Sequence, residues 1–270
     1  MPKTFWCLLL LLCSSYTLAC VSYTQVRFGI VPWSSAEFNL IWSNKVKAHL
    51  YNHCIRGEFS SAPDFERFIE KSINHEFDVA IVPPHIGSFL VIEYGMPVIA
   101  IDNWDAKIIL LTQKTSSIQT ISDLDKIKIS LPDPLSYVSM WTRSALQASS
   151  PNMNFHGSNN HALQQLLDNK VQAAVLVSPV FNHLKPFLKD KIRVAHTFEA
   201  PLNGLMVNTN NLDHKLTQNI FDALQSFDYT FHTSRLWQTW STPNIATLNL
   251  MHMQQAHLVD ELREIFHQHE

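Results

Sequence analysis

Phe77-Asp78-Val79-Ala80-Ile81-Val82-Pro83-Pro84 carries the strongest signal of the chain's architecture. Phe77 to Val82 is a short apolar run of strand length, and the two prolines stop it. Just before it, Pro63 to Asn74 (PDFERFIEKSIN) reads as a helix that starts on a proline and puts Phe65, Phe68, Ile69 and Ile73 on one face. Further back, Phe38 to Asn52 spaces Phe38, Ile41, Trp42, Val46 and Leu50 near the helical period, and Gln25 to Val31 is a strand ended by Pro32. Strands alternating with helices in this way favour a parallel sheet with helices on its faces, the α/β class.

The alternation continues downstream. Val98 to Ile101 and Ile108 to Thr112 read as strands, with Asp102 to Lys107 between them. A short turn at Ser122 to Leu124 leads to a strand at Lys128 to Leu131, a loop at Pro132 to Leu135 and a helix at Ser136 to Ser149. A helix at Asn159 to Asn169, capped by Asn159 or Asn160, precedes the buried strand Ala173 to Val177. Strands at Ile192 to His196 and Leu205 to Asn208, a helix at Leu212 to Phe227 and an amphipathic helix at His252 to His267 complete the pass. No repeat and no low-complexity linker interrupts it.

With 270 residues, 46% of them hydrophobic, the chain can bury a real core. A net charge of -3 offers nothing that would attract nucleic acid or an acidic membrane surface. At the N-terminus, Lys3, the apolar run Phe5 to Cys13 and the polar Ser14 to Thr17 form a signal peptide, residues 1–20. No later run reaches transmembrane length, so the mature protein is expected to be soluble or lipid-anchored. Thr17-Leu18-Ala19 suits ordinary cleavage. Leu18-Ala19-Cys20 also resembles a bacterial lipoprotein box, although Thr17 stands where that box usually has Leu. Both readings stay open, and the second would anchor the chain through Cys20. Cys7 and Cys13 leave with the signal, so the sequence predicts no disulfide framework and reads Cys54 as a small buried hydrophobe.

Four stretches carry a family resemblance: Val26 to Trp33 (VRFGIVPW), Phe77 to Pro84, Ser117 to Pro134 (SIQTISDLDKIKISLPDP) and Phe155 to Val177, with His161-Ala162-Leu163 and Val171 to Val175 inside the last. Their order and spacing resemble the phosphate/phosphite/phosphonate solute-binding proteins of bacterial ABC importers. The resemblance implies a two-lobed type II periplasmic-binding-protein fold, each lobe a mixed, mostly parallel sheet with flanking helices, and a ligand cleft between the lobes. It divides the chain into residues 21–105 plus 205–270 for one lobe and 106–204 for the other. It also implies a periplasmic location, a small anionic ligand, an ABC permease or a sensory membrane partner, and a monomer without cofactor or catalysis.

The expected ligand position is the loop from Pro132 to Ser139, where a strand ends and a helix begins. Free N–H groups and the helix dipole favour an anion there, and open α/β sheets hold ligands beyond the carboxyl ends of their strands. Ser136 matches the first serine of the family's hydroxyl-rich run. Tyr137 replaces a threonine, Val138 replaces the second serine, and Ser139 stands at a glycine position, so two of the family's hydroxyl donors are absent. Trp33 stands at the family's aromatic position after the first strand, and His85 follows the double proline, where it could donate to an oxyanion. Asn160 and His161, with Asn159, open a second-lobe helix that could face the cleft. Asp105 lies near the presumed crossing and could meet a cationic group on a zwitterionic ligand. The bland alternatives are an N-cap for Ser136, a packed loop aromatic for Trp33 and a surface histidine for His85.

The chain contains no Gly-x-Ser-x-Gly elbow, P-loop or His-Glu-x-x-His, which argues against an enzyme. Met251-His252-Met253 with His257, His267 and His269 offers soft-metal ligand types for copper or zinc, but at irregular spacing and without cysteine.

Overall fold

In a computed structural model of the chain, the described residues are Cys20, 22–32, 36–102, 106–147, 150–227 and 240–267. The leader, Trp33 and Asp105 lie outside them, apart from Cys20. The described residues form two sheets. The first orders its strands β11-β4-β10-β3-β1-β2, from β1 (Thr24–Ile30), β2 (Ile55–Ser60), β3 (Val79–Val82), β4 (Val98–Asp102), β10 (Leu205–Asn208) and β11 (Trp240–Ser241). The second orders β7-β6-β8-β5-β9, from β5 (Ile108–Gln113), β6 (Lys128–Leu131), β7 (Asn152–Phe155), β8 (Ala173–Val177) and β9 (Ile192–Phe198). The chain crosses from the first sheet to the second between β4 and β5, and returns between β9 and β10. Strands β1, β2 and β3 are parallel, whereas β10 inserts antiparallel between β3 and β4.

The helices follow the sequence pattern where one face is buried. Helix α1 (Ala36–Asn52) lays Trp42, Val46 and Leu50 on the first sheet. Helix α2 (Phe65–Ile73) is capped by the Asp64 side chain, which accepts the Arg67 N–H, and it buries Phe65, Phe68, Ile69 and Ser72. Truncating a buried Phe such as Phe68 typically costs about 3–5 kcal/mol. Helix α3 (Pro84–Tyr94) was not expected; it runs straight on from the double proline, which serves as its start. Gly87 lies so close to Leu205 of β10 that a Cβ there would collide with the leucine side chain. Helices α4 (Tyr137–Ala145), α5 (Asn159–Leu167), α6 (Ser178–Asn182), α7 (Pro186–Lys189) and α8 (His214–Gln225) precede a long α9 (Ile245–His267).

One core cluster runs through both lobes, joining Phe65, Ile86 and Phe89 to Leu131, Val138, Val175 and Leu258. Helix α9 braces both sides of it. Toward the first lobe, Glu93 takes Arg263 at 2.6 Å and His267 at 3.4 Å. Toward the second, Gln255 donates to the Tyr137 hydroxyl at 3.1 Å, and Glu261 pairs with Arg143. Asp78, in the stretch that opened the reading, ties strands together. It accepts the Arg27 backbone N–H at 2.7 Å, the Arg27 guanidinium at 2.6 Å and Asn210 Nδ2 at 2.7 Å. Burial raises its pKa, but these bonds outweigh it and hold the carboxyl below its ordinary value.

The cysteine expectation is overturned. Cys20 and Cys54 form a disulfide, so Cys54 is not a lone buried hydrophobe. The bond joins the chain just before β1 to the chain just before β2, whose first residues Thr24 and Ile55 are paired in register. With 34 residues of separation, loop closure alone restricts the unfolded chain by roughly 4 kcal/mol.

Candidate functional site

A cavity of about 60 Å³ lies where the two lobes meet. A single water needs roughly 10–15 Å³ on this scale, so the space suits one small ligand head group. The first lobe contributes Val31, Phe65, Val82, Pro83 and Pro84, all just past the carboxyl ends of β1 and β3 or at the start of α2. The second contributes Ser136, Tyr137, Val138, Asn159 and Val177; Asp102, Leu202 and Gly204 come from the crossing segments. The walls are largely apolar, and Asp102, Ser136 and Asn159 place polar side chains among them.

Ser136 is the N-cap of α4, and its side chain accepts the Ser139 N–H. The Ser136 hydroxyl donates to Ser139 Oγ at 3.1 Å, and Ser139 Oγ donates onward to the Pro132 carbonyl at 3.4 Å. Ser139 is fully buried, is spent inside this chain of hydroxyls and stands outside the cavity lining. Tyr137 and Val138, the first two helical residues, line the cavity, and their N–H groups have no acceptor within the helix. Tyr137 is buried between the His85 and Trp141 rings, its hydroxyl bonded to Gln255; burial raises its pKa, so it stays a neutral phenol.

His85 does not have the role expected of it. It is fully buried and absent from the cavity lining. Its Nε2 lies 3.0 Å from the Leu135 carbonyl, which can only accept, so Nε2 carries the proton. Burial lowers its pKa to about 4, with the Arg143 charge acting in the same direction, so the ring is neutral at pH 7. Its one N–H is committed across the cleft, and Nδ1 can only accept; an oxyanion finds no donor there. His85 is a strut between the lobes. Asp133 takes the Leu135 N–H at 2.8 Å. Burial raises its pKa, opposed by that bond and by the nearby backbone N–H of Phe65 at the start of α2.

Asn160 and His161 are exposed and stand outside the lining. Ser158, not Asn159 or Asn160, caps α5, with its side chain accepting the His161 N–H. The inward residue is Asn159, whose Oδ1 accepts the Val177 N–H at 3.2 Å. The sequence named Asn159 with Asn160 and His161 on a helix that could face the cleft; of the three only Asn159 lines the cavity, and Asp102 was missed entirely. Asp102 is the last residue of β4 and is buried; its backbone N–H donates to the Gly204 carbonyl at 2.9 Å, which pins the two crossings together. Among the described residues, no three His, Cys, Asp or Glu side chains come together as a metal-holding group. Met251 is buried while Met253 is 75% exposed, so the tail's soft ligands point to different faces.

A family model described as the periplasmic substrate-binding protein of phosphonate ABC transporters matches residues 28–252. The chain belongs to that family. Solved structures share the type II periplasmic-binding-protein fold. A binding-protein component of an ABC phosphonate transporter from Pseudomonas aeruginosa superposes with TM-score 0.67 at 15% identity, covering 90% of this chain and 99% of that one. PhnD1 from Prochlorococcus marinus, in complex with methylphosphonate, gives TM-score 0.74 at 12% identity, covering 87% and 98%. The periplasmic aliphatic sulphonate binding protein SsuA from Escherichia coli gives 0.66 at 13%, covering 90% and 94%. No curated relative matches the chain by sequence.

Proposed function

We propose that this protein is exported by its N-terminal leader, captures a small oxyanion of the phosphonate or sulfonate type in the periplasm, and presents it to an ABC permease without chemical change. The lobes are residues 21–105 with 205–270, and 106–204. The observation that carries the reading is the N-terminus of α4 opening on an interlobe cavity at the carboxyl ends of the strands. The Tyr137 and Val138 N–H groups would hold the anionic oxygens, with Asn159 beside them. Asp102 takes the part the sequence assigned to Asp105: a carboxylate at the crossing accepts a hydrogen bond from an ammonium or hydroxyl on the same ligand. Trp33, two residues beyond the lining residue Val31, would close over it. Contacts to both lobes supply the differential affinity that favours closure.

The test is a thermal-shift screen of residues 20–270 against phosphate, phosphite, methylphosphonate, aminoalkylphosphonates, alkylsulfonates, carboxylates and divalent metals. A ligand at a hundredfold excess over its dissociation constant stabilises by about 2.7 kcal/mol. The expected result is a rise with one phosphonate or sulfonate. A rise confined to metals, or to none of these anions, would overturn the proposal.

A further inference from the structure

We propose that the mature protein begins at Cys20 with that sulfur committed to Cys54, so that the residue placed to accept a membrane lipid carries a disulfide and the protein is released unanchored. This rests on the export reading above. A cysteine sulfur makes one bond beyond its own Cβ. It can be a thioether to a diacylglyceryl group or half of a disulfide, and not both.

The surrounding contacts favour the disulfide. The Tyr23 ring stacks on Tyr51 of α1 with centroids 4.2 Å apart. The Thr24 N–H donates to the Cys54 carbonyl at 3.0 Å. Cys54 itself holds φ at 61°, in the left-handed region, at the corner between α1 and β2. Non-glycine residues stay there only where their surroundings fix them, and here the Tyr51 carbonyl, which accepts the Cys54 N–H at 3.2 Å, and the disulfide do so. Only Val21, Ser22 and Tyr23 separate Cys20 from β1. Three extended residues span at most roughly 10 Å, so the segment is a docked end of the sheet and no slack tether to a bilayer.

The chemistry balances as an oxidation. The two thiols lose two protons and two electrons as the S–S bond forms, and the electrons pass to the disulfide of a thiol–disulfide exchange protein in the oxidising compartment. The inference also fixes the processing site: cleavage falls between Ala19 and Cys20, where the Thr17-Leu18-Ala19 signal and the lipoprotein box both cut, so that Cys20 belongs to the mature chain and not to a leader of residues 1–20. Cleavage after Cys20 would leave Cys54 alone.

The experiment expresses the full chain from Met1 in a host with an oxidising periplasm and analyses the product without reduction. The intact mass should equal residues 20–270 less two hydrogens. No maleimide should add before reduction and two should add after it, and the protein should enter the aqueous phase on detergent partition. A diacylglyceryl mass on Cys20 overturns the proposal, as does a chain starting at Val21 with one reactive thiol. A product still carrying Met1 defeats the export reading instead; after that product is refolded in an oxidising thiol–disulfide buffer, a Cys20–Cys54 peptide on non-reducing mapping supports the pairing and its absence overturns it. Cys54→Ser should render Cys20 reactive, with the fold checked by circular dichroism. The same lipid mass in this variant and in the wild type would again overturn the proposal.

Discussion

Two helices start at the cleft, one from each lobe, and each follows a strand that ends there. Helix α3 starts on Pro83 and Pro84 with no side-chain cap, and a proline at the first helical position has no N–H to offer. Its next residue, His85, sends its ring proton across to Leu135. Helix α4 starts on Ser136, whose side chain satisfies Ser139 and leaves the N–H groups of Tyr137 and Val138, two residues that line the cavity, without a partner in the helix. The same local architecture therefore gives one inert wall and one polar end. A helix start becomes a binding element only where its first N–H groups exist and are not already spent.

The largest expected effect tests the inert wall. The His85 pKa is lowered from an ordinary value near 6.5 to about 4, so the unfolded chain binds the proton more readily. Stability from this group is complete above about pH 6.5 and is lost as pH falls toward 4, by about 3 kcal/mol. His85→Gln keeps a donor for Leu135 and cannot titrate. Denaturant unfolding at pH 7 and pH 4 should show a smaller acid loss in the variant by about that amount; equal losses would contradict the strut assignment.

The next test breaks the polar end. Val138→Pro removes the N–H of the second helical residue, with circular dichroism checking that α4 still forms. Calorimetry with the oxyanion that passes the screen should show an affinity loss of about ten- to a hundredfold, the range for a hydrogen bond to a charged group. Unchanged affinity would place the anion elsewhere. Ser136→Ala should cost about 1 kcal/mol of stability by loss of the cap, read as a lower denaturation midpoint. Asn160→Ala should change neither stability nor affinity by more than about 0.5 kcal/mol, as for an exposed surface residue; a larger change in calorimetry would return Asn160 to the site.

What could be read from the sequence follows from what is local. Strand β3 and the helix starting at Ser136 were legible because an apolar run and a strand–loop–helix order are written in adjacent residues. Helix α3 was not, since Pro84 to Leu90 are all buried and a helix covered on every side has no amphipathic period to detect. Strand β2 was hidden by Arg56 and Glu58, which face solvent in alternation with buried Ile55 and Gly57. Missing β2 also hid the disulfide, because the pairing of β1 with β2 is what brings Cys54 to Cys20. Helix α5 was judged from its asparagines, but Ser158 is the cap; each residue turns about 100° around the axis, so Asn159 faces in while Asn160 and His161 face out. The partner of His85 lies 50 residues away, a distance over which no local pattern operates.

The position of β10 bears on the order in which the protein assembles. The second sheet draws all its strands from one unbroken stretch, Ile108 to Phe198, and can form as soon as that stretch has emerged. The first sheet lacks the strand between β3 and β4 until Leu205 to Asn208 arrives. Until then β3 and β4 present bare backbone edges, the kind of surface that recruits foreign strands. A nascent chain passes through this vulnerable interval every time it is made, and closing the sheet requires a contact more than a hundred residues long, the slow kind.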